Sequence, residues 1–235
     1  MRYTRYAIYL TLPPGPLATF GAAWLGWDAA GRRSLDPPEV PDLPAPVDAL
    51  TAAPRKYGLH GTIKPPFRLA EGRTEKQLET ALSTFCAQHP PVALDGLVLS
   101  RLGSFLALTP VGDTFALSEL AASVVHQFDG FRAPVEAAEL ARRKGARLTA
   151  RQGELLELYG YPYVMEAFRF HITLTGRMSA GHLARTDAAL RPLLDPLLPD
   201  PFHLDALTLC AEAADGRFHE IRRIPLSGQP RKQHV

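Results

Sequence analysis

Two short stretches decide how this chain is read: Leu59-His60-Gly61-Thr62-Ile63 and, about 110 residues further on, Phe170-His171-Ile172-Thr173-Leu174. In an extended segment, side chains two apart share a face. In the second stretch Phe168, Phe170, Ile172 and Leu174 then point one way, and Arg169, His171, Thr173 and Thr175 the other. In the first, Tyr57, Leu59, Gly61 and Ile63 share one face while His60, Thr62 and Lys64 share the opposite one, before Pro65 and Pro66 stop the strand. The surroundings repeat as well. Each strand is followed by a helical pattern and then by a hairpin of one design, opening with Leu94-Asp95-Gly96-Leu97-Val98-Leu99 in the first case and Leu204-Asp205-Ala206-Leu207-Thr208-Leu209 in the second. From His60 to Asp95 is 35 residues and from His171 to Asp205 is 34. Two related units of strand, helix and hairpin are therefore expected, packed about a pseudo-twofold axis that turns both polar faces toward a shared groove.

Further out, helical periodicity covers 17–32, 74–89, 116–128, 134–144, 149–159 and 179–195, and extended patterns cover 5–12, 58–63, 92–100, 104–109, 166–176, 203–212 and 217–226. Thr74 with Gln77 and Thr149 with Gln152 form capping boxes that fix two helix starts. The fold class is α+β: a duplicated bilobal chain with two antiparallel sheets, flanking helices and a central cleft. It reads as a single compact domain over 1–235, with lobes of about 1–125 and 126–235. The Pro-rich segment 34–54 is the one stretch without a period. Among 235 residues, 26 Lys+Arg face 24 Asp+Glu, a formal charge of +2, so no basic track for nucleic acid is expected and any anion site is local. No run reaches the ~18 apolar residues of a membrane span. Cys86 and Cys210 have no paired spacing, which points to a reducing cytoplasm. A monomer acting on a small molecule is the expectation.

If the two units face one another, two imidazoles, two hydroxyls, Lys64 and Arg169 converge with no carboxylate among them, and that composition makes an anion site. A strand with one polar face is most often simply solvated, and eight histidines make a chance His-x-Thr easy to find. What tips the balance is that both copies occupy the same strand of a duplicated unit. Tyr57, Tyr161 and Tyr163 flank the motifs as groove walls or packing, and Lys56 and Arg177 are further phosphate contacts. Tyr6 and Tyr9 are core or groove wall. The basic run Arg142, Arg143, Lys144, Arg147 and Arg151 reads as a solvated helix face, and His126, His182, His203, His219 and His234 have no partner spacing. Metalloprotease, nucleotide-loop and hydrolase-elbow motifs are all absent.

The paired His60-Gly61-Thr62 and His171-Ile172-Thr173 resemble the 2H phosphoesterase superfamily, named for two His-x-Thr/Ser motifs. The longer strings from Arg55 to Phe67 and from Tyr161 to Arg177, with Arg5-Tyr6-Ala7-Ile8-Tyr9 and Trp24-Leu25-Gly26, are similar to its phosphonate-metabolism branch, formerly a domain of unknown function encoded near carbon-phosphorus lyase genes. The resemblance implies a phosphodiesterase for a small cyclic phosphate such as 5-phosphoribosyl 1,2-cyclic phosphate, working without metal or other cofactor. His60, Thr62, His171 and Thr173 would be its catalytic residues, and Lys64, Tyr57, Arg169, Tyr163, Lys56 and Arg177 its substrate contacts. The alternatives are a nucleotide or RNA 2',3'-cyclic phosphodiesterase and a phosphate-ligand binding module without turnover.

Overall fold

The computed structural model describes residues 3–144 and 148–229. The side chains of Arg142 and Lys144, and the whole of Arg147 and His234, lie outside the described residues. In chain order the elements are β1 (Tyr6–Leu10), α1 (Pro16–Leu25), β2 (Trp27–Asp28), β3 (Arg33–Ser34), α2 (Val47–Thr51), β4 (Gly61–Phe67), α3 (Glu75–Gln88), β5 (Val92–Leu94), β6 (Gly96–Leu102), β7 (Phe105–Val111) and α4 (Phe115–Gln127). Then come α5 (Ala137–Lys144), α6 (Ala150–Tyr159), β8 (Ile172–Thr173), α7 (Ala180–Leu194), β9 (Phe202–Leu204), β10 (Ala206–Glu212) and β11 (Phe218–Pro225). Both capping boxes are formed: the Thr74 and Thr149 hydroxyls accept from the Gln77 and Gln152 N–H groups, and the two glutamine side chains accept in return.

The chain is α+β with antiparallel pairing throughout. Its two expected sheets are halves of one seven-stranded sheet in the order β11-β10-β1-β4-β8-β7-β6, and among the described residues the only pairing between the halves is Gly61 with Ile172. Those two residues are equivalent in the duplicated motifs, each following its histidine. A second pairing of equivalents, β5 with β9, sets Ala93 opposite His203, each two residues before the aspartate that marks its hairpin. Both pairs sit where a pseudo-twofold axis must pass. The hairpin of the first unit, β6–β7, pairs beside β8, and that of the second, β10–β11, pairs beside β1, which lies next to β4. Accordingly α3 packs on β10 and β11 while α7 packs on β6 and β7, so each half of the sheet is built from both units.

Several boundaries differ from expectation for local reasons. The first helix ends at Leu25, not at residue 32, because Gly26 takes a left-handed conformation (φ 66°) whose N–H caps the Ala22 and Ala23 carbonyls. The stretches 92–100 and 203–212 are each broken by the aspartate before the hairpin, giving β5 and β6, and β9 and β10. Pro65 and Pro66 do not stop β4. Ile8 pairs with Lys64, while Tyr9 pairs with Thr62 and Tyr6 with Phe67, so β4 carries extra residues on either side of Lys64. Such bulges take up residues that cannot donate to a ladder. The expected strand 166–176 shrinks to β8, preceded by a single 3-10 turn at Met165–Ala167. Between them the carbonyls serve side chains: Arg169 donates to Phe168 O and Glu166 O, and His171 to Arg169 O.

The apolar faces read from the motifs form the core. Phe168, Phe170, Ile172, Leu174 and Ile63 are buried there with the helix faces of Leu78, Leu82, Leu117, Val124 and Leu190. The segment 34–54 follows the same packing rule: Val47 and Leu50 are buried, Gly176 N–H donates to Leu50 O, and Arg185 reaches the Asp42 carbonyl.

Candidate active site

His60 and His171 line one open cavity of about 370 Å³, together with Thr62 and Thr173. Its remaining walls include Tyr9, Tyr57, Tyr161 and Phe105, the backbone turn of Ala53 and Pro54, and three arginines, Arg5, Arg143 and Arg177. The two imidazoles are held in the same way. Nδ1 of His60 lies 2.9 Å from the Gly58 carbonyl and Nδ1 of His171 lies 2.8 Å from the Arg169 carbonyl, each two residues back on its own strand. A carbonyl can only accept, so each Nδ1 carries the hydrogen and each Nε2 is left for the cavity. Thr62 Oγ1 stands 3.3 Å from His60 Nε2.

The surroundings of the two rings differ. The His60 ring lies against Tyr9, with centroids 4.0 Å apart, and beside Tyr57 at 5.6 Å. His171 has, among the described residues, a single aromatic neighbour, Phe105, at 5.8 Å. Burial, with a smaller push from His171, drives the His60 pKa down to about 4, so its ring is neutral at pH 7. Tyr9 is itself buried against Ala7, Cys210 and Phe218, and the same desolvation raises its phenol well above the usual range and keeps it protonated.

The arginines are placed differently. Arg5 donates to both carboxylate oxygens of Glu212 at 2.5 and 2.6 Å, and Thr4 adds a third bond to that carboxylate. Arg143 pairs with Glu139, donates to the Gly160 carbonyl and lies over the Tyr161 ring. Arg177 is exposed and has no hydrogen bond or ion pair among the described residues, which leaves its charge available to the cavity.

Of the residues singled out in the sequence, His60, Thr62, His171, Thr173, Tyr9, Tyr57, Tyr161 and Arg177 meet in this cavity. Tyr163 and Arg169 line an adjoining pocket of about 250 Å³ that shares Thr62, Tyr161 and His171 with it. Lys56 packs its ammonium over the Tyr57 ring and does not line the cavity. Lys64 does not join the others. The bulge beside it reverses the alternation of β4, so its side chain is 2% exposed, its Nζ donates to Val125 O at 3.2 Å, and Asp129 lies 3.8 Å away. Desolvation lowers its pKa to about 8 against the pull of Asp129. Arg5, Arg143 and Phe105 were not foreseen here: Arg143 read as part of a solvated helix face, and the others carry no local pattern. Arg151, of the same basic run, pairs with Glu154 and Glu166 outside the cavity. Among the described residues no helix is long and apolar enough to cross a membrane.

Comparison with known proteins gives relatives on two levels. The chain is 39% identical over 96% of its length to a ribose 1,5-bisphosphate phosphokinase PhnN of Janthinobacterium sp. (strain Marseille). It is 34% identical over 94% of its length to the protein of that name from Laribacter hongkongensis (strain HLHK9). It spans about half the length of these curated relatives, 51% in each case. Among solved structures it is similar to TT0787 of Thermus thermophilus (16% identity, TM-score 0.45, 96% of this chain and 100% of that one). It is also similar to E. coli LigT complexed with 3'-AMP (18%, TM-score 0.41, 97% and 100%). A family model, DUF1045, described as a protein of unknown function, matches residues 62–219, from the first motif's threonine through the whole of the second, and the chain belongs to that family.

Proposed function

We propose that the chain is a phosphodiesterase that opens a small cyclic phosphate by paired histidine acid/base catalysis. The observation that carries this reading is the common fixing of the two imidazoles, each held through Nδ1 by a carbonyl two residues back, with both rings lining one cavity and the Thr62 hydroxyl beside His60 Nε2. His60, neutral at pH 7, suits the base: its Nε2 takes a proton as a water oxygen bonds to phosphorus. His171, in the acid's part, gives an Nε2 proton to the ring oxygen as the P–O bond to it breaks, and the two rings then exchange protons with solvent. Thr173, and Thr62 once its hydroxyl turns from His60 Nε2 to the substrate, donate hydrogen bonds to the non-bridging oxygens, and Arg177 supplies unpaired charge. The scheme needs no metal.

The substrate choice rests on chemistry. Water attack on 5-phosphoribosyl 1,2-cyclic phosphate with cleavage of the bond from phosphorus to O2 leaves the phosphate on C1. The product is ribose 1,5-bisphosphate, the molecule in the names of both curated relatives. A nucleoside 2',3'-cyclic phosphate is the second reading, favoured by the aromatic lining of the adjoining pocket, where Tyr161 and Tyr163 meet edge to face at 5.7 Å beside Phe168. Phosphorus NMR of both substrates with the purified protein and EDTA separates the two. Turnover of the phosphoribosyl compound at least tenfold faster, lost in His171→Ala, is the expected result. No turnover of either compound, or turnover that needs a divalent ion, would overturn the scheme.

A further inference from the structure

The duplicated motifs are not equivalent in their surroundings, and the closest of the differing contacts comes from one residue on a neighbouring strand. On β1, Tyr9 stands opposite Thr62; on β7, the residue opposite Thr173 is Ala107. These are matching places, the residue next to the motif threonine on the strand that flanks each motif. Tyr9 lays its ring on the face of His60 there, whereas Ala107 has no ring to lay on His171, whose one aromatic neighbour among the described residues is Phe105 at 5.8 Å. The hydroxyl of Tyr9 has no hydrogen-bond partner among the described residues, so the ring is held by packing alone, against Ala7, Cys210, Phe218 and Tyr57.

We infer that Tyr9 is a positioning residue that makes the two histidines unequal: by covering one face of His60 it excludes water from that face and assigns the ring the base's part, leaving His171 the acid's. This rests on the proposed hydrolytic reading for its catalytic meaning, but not for its physical content. The groups facing His60 are Tyr9 from β1, Tyr57 from the 3-10 turn at Arg55–Tyr57, and His171 from β8 across the cavity, while Arg5, Arg143 and Arg177 line the same walls. None is a carboxylate, so no negative partner competes with desolvation, and removing the cover lets the imidazolium regain water.

The test is a titration of the histidine ring resonances by NMR from pH 3 to 8 in the full chain, for wild type, Tyr9→Phe and Tyr9→Ala. His60 is expected to titrate near 4 in wild type, to stay within half a unit of that in Tyr9→Phe, which keeps the ring, and to rise by a unit or more in Tyr9→Ala. His171 should move in neither. Should Tyr9→Ala not fold, Tyr9→Leu, which uncovers only part of the imidazole, is read by the same criterion with a smaller rise. An unchanged His60 midpoint in the folded alanine or leucine variant, or an equal shift of His171, would overturn the proposal. The acid limb of kcat/KM should follow the His60 midpoint upward in the same variant. Because the titration uses no substrate, a protein that hydrolyses nothing would sink the proposed function and leave the Tyr9 result to stand or fall by itself.

Discussion

Gly61 shows how little room a motif position can leave. A Cβ there would fall 2.4 to 2.5 Å from two atoms of the Phe170 ring, and Gly61 is also the residue that pairs with Ile172 where the halves of the sheet join. A methyl group must push the ring or part the strands, so Gly61→Ala is expected to cost about 1–3 kcal/mol and to lower the melting temperature, with turnover falling as the histidines move apart. An unchanged melting temperature would contradict the close packing at the axis. Arg177 is the opposite case, a residue at which nothing among the described residues holds the side chain. Arg177→Ala should raise KM by roughly 10-fold or more, the scale of a lost charge-assisted bond, with kcat nearly unchanged in steady-state kinetics; a fall in kcat at constant KM would place Arg177 on the transition state instead. Both roles are half legible in the letters. The glycine of His60-Gly61-Thr62 stands in plain view, but the reason for its size is a ring 109 residues away.

Among the elements, the two helices that open with a capping box lie where the sequence put them, because a cap is a contact within four residues. β4 is where local reading failed. Strict alternation placed Lys64 beside His60, but bulges are set by pairing with β1, a partner about fifty residues away in the chain, and they send the lysine under α4. Lys64→Met should therefore keep kcat/KM within about threefold, since the ammonium faces Val125 O and Asp129 and not the cavity; a hundredfold loss would return Lys64 to the site. Its stability signature has a definite sign. The folded pKa of about 8 lies below the unfolded 10.5, so between those values the unfolded chain binds more protons and stability rises with pH. Chemical denaturation from pH 8 to 10.5 should show this rise in wild type and lose it in Lys64→Met.

For the molecule as a whole, the duplication was the legible part. It showed as two tripeptides with equal spacing to two hairpins, and the structure returns it as two pairings of equivalent residues on one axis. What the letters could not show is the exchange of hairpins between halves, or which distant residues wall the cavity: Arg5 and Arg143 arrive from β1's approach and from α5, held by Glu212 and Glu139. The same assembly half-buries His60, and here too the sign is fixed. With a folded pKa near 4 against 6.5 unfolded, the unfolded chain binds the extra proton between those values, so stability should fall as pH drops from 6.5 to 4. Acid unfolding of wild type beside His60→Gln should show a shallower fall in the variant.

The pairing itself is tested most directly by a double-mutant comparison: initial rates for 5-phosphoribosyl 1,2-cyclic phosphate, followed by phosphorus NMR, for His60→Ala, His171→Ala and the double variant. Groups that act as one unit lose nearly everything with the first removal. Each single variant should therefore fall by about 10² to 10⁴ and the double variant hardly further. Losses that multiply, or a double variant that still turns over like wild type, would contradict two imidazoles working on one phosphoryl group.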